Sequence, residues 1–160
     1  METNKISLDN IINSSQPCYL YKDPMFMVTV SVVIIVETGI VVIPFNTETY
    51  KFPGGKIRAG QETIPFAAVR YIKEQTGIRL KKEDLIPVDF RSDPERSNGR
   101  NIIDIGMVCI PDLPHDFVLN DCAKLITVDF DTKNLVEEHS FYMDHKILLE
   151  RAIDIILLMK

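Results

Sequence analysis

Residues 54–78 read GGKIRAGQETIPFAAVRYIKEQTGI and lead from a glycine-rich stretch into a helical pattern. The adjacent Gly54 and Gly55 favour a loop whose backbone adopts conformations that other residues rarely reach. We predict a helix from Thr63 to Thr76, with Gly77 as its C-cap. A glycine loop that enters a helix presents backbone N–H groups to a phosphate chain, and carboxylates on such a helix hold divalent cations.

The segments on either side of this stretch are rich in β-branched residues, which favour strands. We predict a hairpin from residues 25–36 and 40–45, with both strands buried on two faces. Further strands are predicted at 85–90, 102–110 and 125–130, and a closing helix at 143–160. The order of elements predicts one α+β domain over residues 1–160, with a mixed sheet between helices and residues 1–16 as a poorly ordered arm.

Composition narrows the classes of function. The chain has 160 residues, of which 46% are hydrophobic, so it can bury the core of one ordinary domain. Its net charge of −5 argues against a nucleic-acid surface, whereas a local basic pocket for a small anion remains compatible with it. The longest apolar run, residues 25–36, is shorter than the ~20 residues that span a bilayer. The three cysteines lack C-x-x-C spacing, so we expect reduced thiols in a soluble cytoplasmic protein with no nucleic-acid or membrane partner.

One face of the predicted helix could ligate a divalent cation if its positions were acidic. Tyr71, Glu74 and Gln75 share this face, and only Glu74 is acidic. Arg70 lies four residues before Glu74, at the spacing of neighbours on a helix surface.

The whole stretch resembles the signature of the Nudix superfamily, G-x5-E-x7-R-E-U-x-E-E-x-G-U, in which U is a bulky aliphatic residue. With Glu62 as the first glutamate, seven residues separate it from Arg70 as the pattern requires, and the loop after Gly55 is one residue longer. We place the extra residue in the loop, because in the helix it would rotate the later side chains by about 100°. The matching positions are Gly55, Glu62, Arg70, Ile72, Glu74, Gly77 and Ile78.

The resemblance implies a fold, a cofactor and roles for these residues. The fold is the Nudix α/β/α sandwich, and the cofactor is Mg2+ or Mn2+ at a site formed by the glutamates of the signature. By this resemblance Glu74 and Glu62 are the catalytic residues, and together with Gln75 they are the metal ligands. Gly54 and Gly55 contact the diphosphate. Arg70 supports the loop through hydrogen bonds to its carbonyl oxygens. Tyr71 and Gln75 stand where the family has glutamates. If each lost carboxylate reduces the free energy of metal binding by about 1.4 kcal/mol, the two losses together lower metal affinity roughly a hundredfold.

Two later motifs point to one branch of the superfamily. Asp93-Pro94 with Arg96 and Arg100 is similar to the D-P-R-x-R loop of the branch that includes ADP-ribose pyrophosphatases, and residues 141–148 are similar to its A-F-D-H-x-x-I-L ending. We predict that Arg96 and Arg100 bind a substrate phosphate or carboxylate through bidentate hydrogen bonds; the alternative is that both are solvated charges of this loop.

The sequence leaves three functions open. The first is binding of an ADP-ribose-like nucleoside diphosphate, with metal-dependent hydrolysis weak or lost. The second is an active pyrophosphohydrolase that takes substitute carboxylates from Asp93, Glu95, Glu137 or Glu138. The third is a nucleotide-sensing or protein-interaction domain without catalysis. Many Nudix proteins are dimers, so the resemblance is also compatible with a homodimer.

Overall fold

A long strand forms the centre of the fold. The computed structural model describes residues 26–92, 101–114, 116–132, 134–135 and 140–159. Strand β1 (Met27–Val36) turns directly into β2 (Gly39–Pro44), and the two form the predicted antiparallel hairpin with Val36 opposite Gly39. Residues 30–36 of β1 and 39–43 of β2 are buried, as the β-branched composition predicts.

The other elements build a mixed sheet around β1. The remaining strands are β3 (Thr49–Lys51), β4 (Gly54–Lys56), β5 (Ile86–Arg91), β6 (Ile102–Cys109), β7 (Lys124–Asp129), β8 (Asn134–Leu135) and β9 (Ser140–Phe141). The helices are α1 (Ile64–Thr76) and α2 (His145–Leu158), with a 3-10 turn at Lys82–Asp84. β6 pairs with β1 in parallel on one side; on the other side, antiparallel β4 pairs with the first half of β1 and β2 with the second half. β5 extends the sheet beyond β6, while β3 and β7 each pair with β2.

Alternate residues of β1 pack against different helices, because successive side chains of a strand point to opposite faces. Val32 and Ile34 pack with the buried side chains of α1, of which Ile72 is the largest. Val33 and Ile35 belong to the second core, which includes Leu148 and Ile153 of α2. The predicted α+β fold with a mixed sheet between helices is therefore confirmed.

Helix α1 follows the predicted signals at both ends. Thr63 is its N-cap residue, and Gly77 adopts a left-handed φ of 82° while its N–H donates to the Lys73 carbonyl. No helix in the described part of the chain is long and apolar enough to cross a bilayer. The predicted arm of residues 1–16 lies outside the described residues.

The prediction of a loop at Gly54-Gly55 is wrong, since these residues begin β4. Gly54 lies opposite Ser31 of β1, and a Cβ on Gly54 would lie 1.9 Å from the carbonyl oxygen of Val30. Glycine is required here because the two backbones approach so closely, rather than because the chain leaves the sheet.

Candidate functional site

A cavity of about 300 Å3 opens beside Gly54-Gly55. Its walls are the first residues of β1 and β6, the chain from β3 to β4, and the segment that precedes α2. Gly54 and Gly55 both line it, so the structure brings the predicted diphosphate-contacting residues to the edge of a cavity. Their contact with a ligand stays a prediction.

The floor of this cavity is a buried polar cluster around Asp104, which is only 2% exposed. The parallel pairing of β1 with β6 sets Asp104 beside Thr29 and near Ser31. The hydroxyls of Thr29 and Ser31 donate to Oδ1 of Asp104 at 2.5 and 3.1 Å. Sequence reasoning missed this cluster, although polar residues at alternate positions of an apolar strand are a signal that one face of the strand is polar there.

Arg91 connects the floor to the start of α2. Its Nη2 donates to Oδ2 of Asp104 at 2.9 Å, and its Nη1 donates to the carbonyl oxygen of Asp144 at 2.8 Å. The Asp144 carboxylate also lies 3.0 Å from Nη1. The Arg91 side chain is 9% exposed, so its charge is balanced inside the protein rather than by water.

His145 closes the wall of the cavity at the first residue of α2. It is 6% exposed, and its Nδ1 accepts a hydrogen bond of 2.9 Å from the Phe52 N–H. Its ring stacks on that of Phe52, with 5.4 Å between ring centroids. Because Nδ1 is an acceptor, this bond requires that Nδ1 carry no proton. His145 thus holds α2 against the chain between β3 and β4.

On the α1 side of the sheet, Glu62 and Arg70 form a bidentate ion pair. Arg70 Nη2 donates to Glu62 Oε1 at 2.6 Å, and Arg70 Nε donates to Oε2 at 2.9 Å. The Arg58 N–H also donates to Glu62 Oε1, at 2.9 Å. The hydrogen bonds from Arg70, with that from Arg58, lower the pKa of Glu62 to about 2, and Glu62 in turn raises the pKa of Arg70. We predicted that Arg70 donates to carbonyl oxygens of the loop. In the structure Arg70 donates to the Glu62 carboxylate, and this carboxylate in turn accepts the N–H of Arg58 in the loop.

Tyr71 occupies the first replaced glutamate position and fastens α1 to β4. Its hydroxyl donates to the carbonyl oxygen of Lys56 at 2.9 Å. Its ring lies against Gly55, where a Cβ would be 2.5 Å from the ring. The Arg70 guanidinium covers the same ring at 4.1 Å from its centroid. Gly55 is therefore the position that makes room for Tyr71.

Gln75 occupies the second replaced position and binds the backbone of Gly54 with both ends of its amide. Its Oε1 accepts from the Gly54 N–H at 2.9 Å, and its Nε2 donates to the Gly54 carbonyl oxygen at 3.0 Å. A carboxylate would accept the first bond but has no proton for the second. The amide is thus the group that this geometry requires.

These contacts leave few oxygens for a divalent cation. Glu74 is 52% exposed, and its Oε2 lies 3.3 Å from Arg70 Nη1. Over the described ranges no three His, Cys, Asp or Glu side chains are grouped so that they could hold a metal ion. Mg2+ requires charged oxygen ligands because it gives up its waters reluctantly. The described residues therefore do not fit the metal site that the resemblance implies, and the roles of Glu62, Glu74 and Gln75 as ligands stay predictions.

The remaining candidate residues lie outside the part of the chain that the structure describes. Arg96 and Arg100, which we predict to bind substrate, lie outside the described residues. The same holds for the substitute carboxylates Asp93, Glu95, Glu137 and Glu138.

Comparison with known families confirms the resemblance. The family model of the NUDIX domain matches residues 25–140. The chain therefore belongs to the Nudix family. No curated protein sequence matches the chain.

Solved structures of Nudix proteins share the fold. The NUDIX domain of Shewanella oneidensis NrtR, complexed with ADP ribose, is 13% identical with a TM-score of 0.67, and the match covers 94% of this chain and 99% of that one. A MutT/nudix family protein from Enterococcus faecalis is 16% identical with a TM-score of 0.64, covering 96% and 71%. A bifunctional NMN adenylyltransferase/ADP ribose pyrophosphatase from Francisella tularensis, complexed with AMP and a Mn ion, is 24% identical with a TM-score of 0.62. That match covers 88% of this chain but 44% of the Francisella protein, so the present chain spans less than half of its length.

Proposed function

We propose that this protein binds an ADP-ribose-like nucleoside diphosphate in the cavity beside Gly54-Gly55, and that metal-dependent hydrolysis of the diphosphate is weak or lost. The position of the cavity supports ligand binding, because Gly55, which begins the Nudix signature, and its neighbour Gly54 form the edge of the cavity. The Shewanella and Francisella structures, complexed with ADP ribose and with AMP, support the choice of ligand.

The paired hydrogen bonds between Gln75 and Gly54 carry the proposal that catalysis is weak or lost. They engage the amide oxygen and the amide nitrogen of Gln75 at 2.9 and 3.0 Å. Gln75 therefore offers a cation at most one remaining lone pair of a neutral oxygen, in place of the charged carboxylate of the family signature. At the other replaced position, the Tyr71 hydroxyl is engaged by a backbone carbonyl. Both replacements therefore stabilise the contact between α1 and β4 and do not assemble carboxylates.

The decisive experiment is a calorimetric titration of ADP-ribose with Mg2+, with Mn2+ and with EDTA, followed by an assay of AMP release from the same samples. We expect binding in all three conditions and little or no AMP. Binding that requires metal and yields AMP would refute the proposal and favour an active enzyme with substitute ligands. No binding in any condition would refute the choice of ligand.

Glu74→Gln is the matched variant for this experiment. In an active enzyme that depends on Glu74, this change abolishes AMP release. Under our proposal it leaves ADP-ribose affinity nearly unchanged, because Glu74 does not line the cavity. The variant removes only one exposed partner of Arg70 and so preserves the fold.

The remaining proposals concern the cellular location and the binding partners of the protein. We propose a cytoplasmic location, since Cys109 and Cys122, the cysteines in the described part of the chain, are free thiols. A homodimer, and the lack of nucleic-acid or membrane partners, stay predictions.

A further inference from the structure

Two lysines share the cavity with the glycines of β4. Lys51 ends β3 and Lys56 ends β4, and both line the cavity. Lys56 lies opposite Thr29 in the antiparallel pair of β4 and β1, so both side chains lie on the face of the sheet that bears the floor. Within the part of the chain that the structure describes, neither ammonium group forms an ion pair. Their charge is therefore available to a ligand.

The floor of the same cavity has the opposite electrostatic character. Thr29 and Ser31 both donate their hydroxyl protons to Asp104, so their oxygens can offer a ligand only lone pairs. The Asp104 carboxylate beneath them adds a negative charge. Arg91 pairs with this carboxylate and also with that of Asp144, so one positive charge faces two negative ones. A phosphate placed on this floor would meet acceptors and a like charge, whereas a sugar hydroxyl would find partners for its proton.

We infer that the cavity binds its ligand in one orientation and without a metal ion. The diphosphate lies against Lys51 and Lys56, beside the edge of the cavity that Gly54 and Gly55 form. The two lysines provide the positive charge that a divalent cation supplies in a carboxylate site. The hydroxyl-bearing sugar lies against Thr29 and Ser31. This inference rests on the proposed function, and it identifies the residues that distinguish the two ends of the ligand.

The test is titration of ADP-ribose in EDTA into the Lys51→Met and Lys56→Met variants. Methionine keeps most of the length of the side chain and removes the charge, and thermal melts check that each variant is folded. We expect each change to weaken binding about tenfold, which corresponds to one charged hydrogen bond of ~1.4 kcal/mol. Lys73→Met is the matched control, because Lys73 is exposed on α1 and does not line the cavity.

A second pair of measurements tests the orientation. Inorganic pyrophosphate, titrated in competition with ADP-ribose, reports on the diphosphate end alone. We expect the lysine variants to weaken both ligands, and Ser31→Ala to weaken ADP-ribose by about threefold while leaving pyrophosphate unchanged, since a neutral hydrogen bond contributes about half as much as a charged one.

The possible failures separate this inference from the proposed function. If the wild-type protein binds ADP-ribose in EDTA and the lysine variants bind equally well, the inference is wrong and the proposed function stands. An equal loss in the Lys73→Met control would mean that only the overall charge matters, which also overturns the inference. If the wild-type protein binds ADP-ribose only with metal, or not at all, both the inference and the part of the proposed function on which it rests are overturned.

Discussion

Gln75→Glu restores the residue of the family signature, and we expect it to destabilise this protein. The carboxylate keeps the bond from the Gly54 N–H but loses the donor to the Gly54 carbonyl oxygen, 3.0 Å away. A part-buried acceptor that loses its partner costs about 1–3 kcal/mol of unfolding free energy. For a chain of this size each kcal/mol lowers Tm by about 2–4 °C. The free energy should be measured by urea unfolding at a series of pH values, relative to the wild-type protein at each pH.

The pH dependence identifies the cause of that loss. When the introduced carboxyl is protonated it regains an O–H donor for the Gly54 carbonyl, so folding of this variant favours the protonated form and raises the pKa of that carboxyl. The penalty is therefore complete above the folded-state pKa and disappears below the ordinary glutamate value of about 4.3. Gln75→Met is the control, because it removes both hydrogen bonds and should show a deficit that does not change with pH. A Gln75→Glu protein as stable as the wild type at pH 7, or with a deficit independent of pH, would refute the role assigned to the amide.

Three further predictions concern the contacts around the site. Gly55→Ala places a Cβ 2.5 Å from the Tyr71 ring and should cost about 1–3 kcal/mol in unfolding free energy; adding Tyr71→Ala should recover part of that loss, and additive effects in the double variant would contradict the contact. In the wild-type protein, ionised Glu62 contributes stability that is complete above its ordinary pKa of 4.5 and is lost as the pH falls towards the folded-state pKa of about 2. Glu62→Gln removes this contribution, so the Tm of the variant should change less with pH than that of the wild type between these two values. Arg91→Met removes the buried guanidinium that pairs with the carboxylates of Asp104 and Asp144, and it should lower the free energy of unfolding by about 3–5 kcal/mol. Lys82→Met, which breaks an exposed ion pair, should lower it by less than about 1 kcal/mol. Similar losses in the two variants would show that the Arg91 cluster is solvated.

Elements that depend on local sequence were predicted well. The β1–β2 hairpin follows from β-branched runs on either side of one turn, and α1 follows from Pro65 in its first turn and the cap at Gly77. The short β4 was missed, because two glycines after a proline indicate a loop when the chain is read alone. Only the presence of β1 alongside, in contact with Gly54, makes them a strand.

The sequence by itself determined the family and the composition of its signature, since the spacing from Gly55 to Gly77 is a property of one continuous segment. It also showed that Tyr71 and Gln75 replace glutamates. The tertiary structure decided what these replacements do, because their partners are backbone groups of β4, up to 21 residues away. It likewise decided the cavity floor, where Thr29 meets Asp104 across 75 residues through the register of two parallel strands. Local propensity cannot specify that register, because it depends on how both faces of the whole sheet are buried.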